Sequence, residues 1–169
     1  NRTLIVSGPA LPVFLGRPAL EAVRLSGREG LNTLFEYELL LKTPDALNIG
    51  ASRAADFNLD DFIGREICCS IRLDGMGEFI PGAAGGSMGS VGAGVRHINA
   101  LVTGAAFWGE EGRHVQYKLT LRPWLHLATL STDCKTFQNK AVVDVLDELL
   151  AVYTFGVGKR LIETYPRRD

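Results

Sequence analysis

Apolar and polar positions alternate along much of this chain. Across residues 35–39, Phe35, Tyr37 and Leu39 fall on one side, and Glu36 and Glu38 on the other. Across 115–121 the pattern repeats, with Val115, Tyr117, Leu119 and Leu121 opposed to Gln116, Lys118 and Thr120. Across 67–73, Ile67, Cys69, Ile71 and Leu73 share a face. Successive side chains of a pleated strand point to opposite faces, so each stretch predicts a strand with one dry and one wet side. Weaker patterns predict strands at 3–6, 22–26 and 98–107. Several short strands of this kind predict a closed or nearly closed antiparallel barrel.

Two or three segments break the alternation. Residues 59–63, ahead of Gly64, read as a short turn or helix, and residues 124–129, after Pro123, as another. The strong helical pattern covers 140–153: Val142, Val143, Val145, Leu146, Leu149, Leu150 and Tyr153 fall at helical spacing, with Asp144, Asp147 and Glu148 largely opposite. Asn139 is the expected N-cap. Residues 75–94 are rich in glycine, nearly free of charge and without period. Lying between two strands, they predict a long, mobile hairpin loop.

Composition narrows the function classes. With 46% hydrophobic and 22% charged residues over 169 positions, the chain has the makings of a core and not of a disordered segment. A formal net charge of −1 offers no basic excess for phosphates, so nucleic acid is not an expected partner. No apolar run has the ~18 residues of a membrane span, and stable membrane insertion is not expected. No signal peptide is visible, and both ends read as boundaries of cleavage or expression. Cys68, Cys69 and Cys134 are odd in number and two are adjacent, which predicts free thiols in a reducing compartment.

The tests for chemistry return little. The glycine loop has no Lys followed by Ser or Thr after its last glycine, so it is no phosphate cradle. His97, His114 and His126 form no close ligand pair, and surface or capping roles are expected. No G-x-S-x-G elbow is present. Asp60 and Asp61 read as a helix-start signal, and Asp144, Asp147 and Glu148 as a solvated face. Phe107, Trp108, Tyr117, Trp124 and Phe137 lack interleaved cations, which favours core or interface packing over base or sugar stacking. No cofactor, metal or catalytic residue is expected.

A longer pattern does emerge. It comprises Phe35-Glu36-Tyr37-Glu38-Leu39, then Asp61-Phe62-Ile63-Gly64-Arg65, then a strand from Arg96 to Thr103. Next come Tyr117-Lys118-Leu119-Thr120-Leu121-Arg122-Pro123-Trp124-Leu125-His126-Leu127 and Thr136-Phe137-Gln138-Asn139-Lys140. From roughly residue 20 to 165, this order resembles the N-terminal region of the valine–glycine repeat (VgrG) spike proteins of type VI secretion. Those are similar in turn to the hub of contractile phage baseplates. The structural positions carrying the resemblance are Phe35, Tyr37, Tyr117, Leu119, Leu121, Pro123, Leu125, Phe137 and Gln138. The loop over 75–94 is longer than the connection such proteins usually have there.

The resemblance implies a mainly β fold with α (α+β). It comprises an antiparallel β-barrel of the hub and tube type over 1–130, then the start of the following region over 131–169 with a helix at about 140–153. It implies a structural hub and no enzyme. The implied partners are two further copies in a homotrimer of the full-length protein, a hexameric tube protein, and effector or needle-tip proteins. The implied location is the bacterial cytoplasm during assembly, then outside after injection. Needle, second barrel and any effector would lie outside this fragment. A phage or phage-like tail hub is the near alternative. Two other classes make distinct predictions. A small hydrolase needs a concave pocket with a His or Cys of shifted pKa, and a lipocalin-type barrel needs an interior cavity of a few hundred Å³.

Overall fold

The computed structural model describes residues 3–14, 16–44, 56–73, 76–77, 90–91 and 94–155, with the backbone alone at 76–77 and 90–91. Most of the 75–94 loop, and the end of the chain past 155, lie outside the described residues. The chain divides into two compact units, 1–128 and 129–169.

The first unit is built on six strands: β1 (Leu4–Ser7), β4 (Glu21–Gly30), β5 (Thr33–Lys42), β6 (Glu66–Leu73), β9 (Gly94–Glu111) and β10 (His114–Arg122). They form one antiparallel sheet in the order β1-β6-β9-β10-β5-β4. Small ribbons pair β2 (Val13–Phe14) with β3 (Arg17–Pro18), and β7 (Met76–Gly77) with β8 (Ser90–Val91). The edge strands β1 and β4 approach within 8 Å at Cα, so the sheet curls into a nearly closed barrel.

Bulges help it curl. Register shifts at Gln116/Tyr117 and Thr120/Leu121 leave Trp108 and Thr103 as extra residues on β9, and two further shifts lie between β4 and β5. An extra residue on one strand raises the local twist and bends the pair. Gly109, at φ 144°, supplies the backbone conformation that the first of these bends needs.

The interior is filled by side chains. Leu39 and Leu41 of β5, Cys69 of β6, Val102 of β9, and Leu119 and Leu121 of β10 are all fully buried. Each leucine so placed contributes about 1.5–3 kcal/mol of burial. Phe62, Ala10, Leu11 and Leu20 join the same core. Thr43, a buried polar residue, is satisfied: its N–H donates to Val115 O at 2.9 Å, and its hydroxyl accepts from Val115 N at 3.0 Å. Among the described residues this filled interior differs from the ligand cavity that a lipocalin-type barrel requires.

The short elements follow the sequence with adjustments. Leu59–Asp61 is one 3-10 turn, capped by Asn58 Oδ1, which accepts from Asp60 N at 3.2 Å. Trp124–Leu130 is a 3-10 stretch. In the second unit, α1 spans Val142–Leu150, within the expected 140–153. Its N-cap is Ala141 and not Asn139, which takes a left-handed φ of 54° two residues earlier. Asp144 stands in for the expected cap, its carboxylate accepting from Ala141 N at 3.0 Å.

Candidate functional site

The motif positions divide between the barrel unit and the second unit. Tyr37, Tyr117, Leu119 and Leu121 are buried in one barrel interior, and Phe35 is half-buried beside Tyr37 with ring centroids 5.6 Å apart. Pro123 is half-buried just past β10, and Leu125 is exposed. Phe137 is half-buried and Gln138 exposed in the second unit. The barrel thus brings five of the nine into one packed cluster.

Titratable groups are placed apart from that core or sealed within it. Burial, and then the neighbouring Cys68, pushes the Cys69 thiol up to about 12. A buried thiol held so high is inert as a nucleophile. Burial likewise raises Tyr117, whose phenol oxygen accepts from Phe57 N at 3.1 Å. His114 Nδ1 lies 2.7 Å from the Thr43 carbonyl oxygen at the start of β10. His97 lies within β9, with Nδ1 2.9 Å from Ser70 Oγ on β6. A hollow of about 170 Å³ lies among Pro12, Phe57, Asn58, Asp61, Phe62 and Arg65. That is below the ~300 Å³ at which ligand pockets usually start.

What remains are the outer walls and the sheet edges. Outward residues of β5, β10 and β9 are laced together. Arg122 donates from Nε and Nη2 to Glu36 Oε2 at 2.8 and 2.5 Å, and from Nη1 to Thr103 at 3.2 Å. Lys118 reaches Glu38 at 3.2 Å and stands 4.4 Å over the Trp108 ring. Sequence reading found no cation interleaved with the aromatics, because Lys118 and Trp108 meet only through the hairpin register. Elsewhere Ile5, Val13, Phe14 and Val95 are exposed apolar residues, and Leu31 at the β4–β5 turn is fully exposed. This is a surface fit for association by shape, apolar contact and strand edge.

Residues 28–169 match the family model described as phage tail baseplate hub (GPD). The chain belongs to this hub family. The family is structural, and the arrangement of packed barrel and patterned exterior suits such a part. Among curated proteins, the chain is similar to two type VI secretion system spike proteins of Pseudomonas aeruginosa, VgrG1b and VgrG1c. Each is 30% identical over 135 residues, 80% of this chain. The chain spans about 15% of the length of either relative. Among solved structures, it is similar to the E. coli c3393 protein, described as a component of the type VI secretion system that resembles the T4 tail proteins gp27 and gp5. That likeness covers 99% of this chain and 38% of the other, with a TM-score of 0.55 at 18% identity, and supports the hub barrel as a fold. Among the described residues no helix is long and apolar enough to cross a membrane.

Proposed function

We propose that this chain is the first hub barrel, with the start of the next region, of a type VI secretion spike protein. Residues 1–130 form the barrel part and 131–169 open the following part. The full-length protein assembles as a homotrimer, seats on a hexameric tube protein, and carries effector or needle-tip proteins out of the cell with the tube. This part works through its surfaces and performs no catalysis. The observation that carries the reading is the match to spike proteins over 80% of the chain, joined to a barrel whose interior is solid. A hub needs rigid strands and outer walls that associate, and no titrating group.

The test is an export assay in cells that carry the full-length gene. Leu119→Asp puts a charge into the dry interior and unfolds this barrel. Export of the tube protein into the medium is then lost, whereas Leu119→Met retains it. Normal export with Leu119→Asp refutes the reading. The family match also favours a second setting, a hub in a contractile phage tail. In that setting the same variant abolishes assembled tail particles and leaves no export phenotype.

A further inference from the structure

An exposed knob and a small hollow stand apart on the barrel unit. Leu31 sits in the two-residue turn between β4 and β5, closed by the Gly30↔Thr33 pair, and its side chain is fully exposed. The hollow of about 170 Å³ lies ahead of β6, and Ala10, Pro12, Phe57 and Phe62 give it an apolar lining. A cavity of ~150 Å³ holds a benzene ring, so this one has room for one leucine side chain. Charge follows the same division. At the hairpin end Glu29 is held by Arg96, and Arg28 stands opposite Glu36, whose carboxylate is held by Arg122. Arg28 itself is exposed and forms no ion pair among the described residues. At the hollow, Asp61 is exposed and likewise forms no ion pair among the described residues.

We infer that the hollow receives Leu31 of a second copy of this chain, with Arg28 of that copy meeting Asp61. An apolar side chain then enters an apolar lining, and a cation meets a carboxylate beside it. Arg65, the other charged residue at the hollow, can donate to the carbonyl oxygens of the incoming turn. Knob and hollow are different patches, so the contact is heterologous. Each copy offers its knob to one neighbour and its hollow to the other, which is the pairing a closed ring requires. One side chain covers far less than the ~800 Å² per partner of a standard interface. The contact therefore sets the register between neighbours, and the rest of the assembly holds them together. The inference rests on the homotrimer of the hub reading and names where its copies touch at this barrel.

Cross-linking of the full-length protein tests the contact. Leu31→Cys and Pro12→Cys are placed in one chain whose Cys68 and Cys134 are changed to serine, and a short bis-maleimide is added. Denaturing gels are expected to show cross-linked dimers and trimers and nothing larger, because a ring of three closes. Either new cysteine alone gives no ladder. Arg28→Asp is expected to slow the cross-linking several-fold, and Asp61→Arg in the same chain restores the rate. An unchanged circular dichroism melt verifies that each variant folds, and Asn58→Cys replaces Pro12→Cys if that melt falls. Monomer bands alone from the folded double variant, or a rate that Arg28→Asp leaves unchanged, overturn the proposal. Threefold particles that give no cross-link remove this contact and leave the hub reading standing, whereas a protein of single chains removes both.

Discussion

The Arg96 guanidinium meets both carboxylate oxygens of Glu29 at 2.5 Å, although β10 and β5 separate their strands in the sheet. In a flat sheet, strands three places apart lie ~14 Å from each other at ~4.8 Å per step. The contact is therefore a consequence of curling, and it sits where the two strands face each other across the barrel. Tyr37 and Arg96 hydrogen-bond to Glu29 and hold its carboxyl below the usual range, in that order of effect. A double-mutant cycle with Glu29→Gln and Arg96→Met is expected to give a favourable coupling at neutral pH that shrinks with added salt. The folded-state pKa is depressed, so the coupling is present above the ordinary carboxylate value and lost as pH falls through the lowered one. A coupling of zero at low salt would contradict the curled sheet.

Gly27 lies directly opposite Tyr37 in the β4–β5 register. A Cβ at this position would collide with the Glu36 carbonyl oxygen and the Tyr37 ring. Glycine here lets an aromatic ring cover the neighbouring backbone, and the inward Tyr37 depends on that approach. Gly27→Ala is expected to cost about 1–3 kcal/mol through overpacking, read from chemical denaturation. The reverse result, a neutral or stabilised variant, would show that the ring does not lie over the glycine.

Tyr117 packs among three phenylalanine rings. Its ring lies 5.8 Å from Phe57, 6.0 Å from Phe62 and 6.4 Å from Phe107, centroid to centroid. Tyr117→Phe keeps the rings and loses the acceptor for Phe57 N–H, at a cost of about 1 kcal/mol. Tyr117→Asp buries an unpaired charge and is expected to abolish the cooperative melt. An ordinary melting curve for the aspartate variant would rule out the inward placement of this residue.

Alkaline pH offers a fourth probe. The Cys69 thiol, ordinarily near 9, stands at about 12 in the fold because burial, and secondarily Cys68, disfavours the thiolate. The sign follows from the raised folded value: full stability below pH 9, progressive loss as the unfolded chain ionises first, and the whole contribution gone above pH 12. Cys69→Val removes this titration. Its melting temperature is expected to fall less steeply than that of the wild type between pH 9 and 10, before the tyrosines join in. Parallel curves over that interval would place Cys69 in contact with water.

The sequence carried the barrel because its strands are dry on one side. Val115 to Leu121 and Phe35 to Leu39 alternate without interruption, and their inward residues are buried apart from the half-buried Phe35 and Val115 at the strand starts. Where alternation was broken, length was lost. β9 runs Gly94–Glu111, well beyond the 98–107 read from pattern, because bulges at Thr103 and Trp108 shift the phase of its side chains. β4 reaches Gly30, past the expected 26, since Arg28 and Glu29 hide a strand whose end forms an ion pair between Glu29 and Arg96. Leu73 shares the inward phase of β6 yet is 43% exposed, because the strand has by then reached the end of the barrel. Asn139 looked like a cap, but an i,i+3 carboxylate contact at Ala141 fixed the helix start instead. The Cys68–His97 approach was invisible because it spans 29 residues and exists only through strand register.

Electron microscopy of the purified full-length protein addresses the central claim most directly. The account predicts particles with threefold symmetry, in which this barrel is ordered in a ring at the tube end and its outer walls touch neighbours. A monodisperse single chain, with the barrel free of any neighbour, would contradict it.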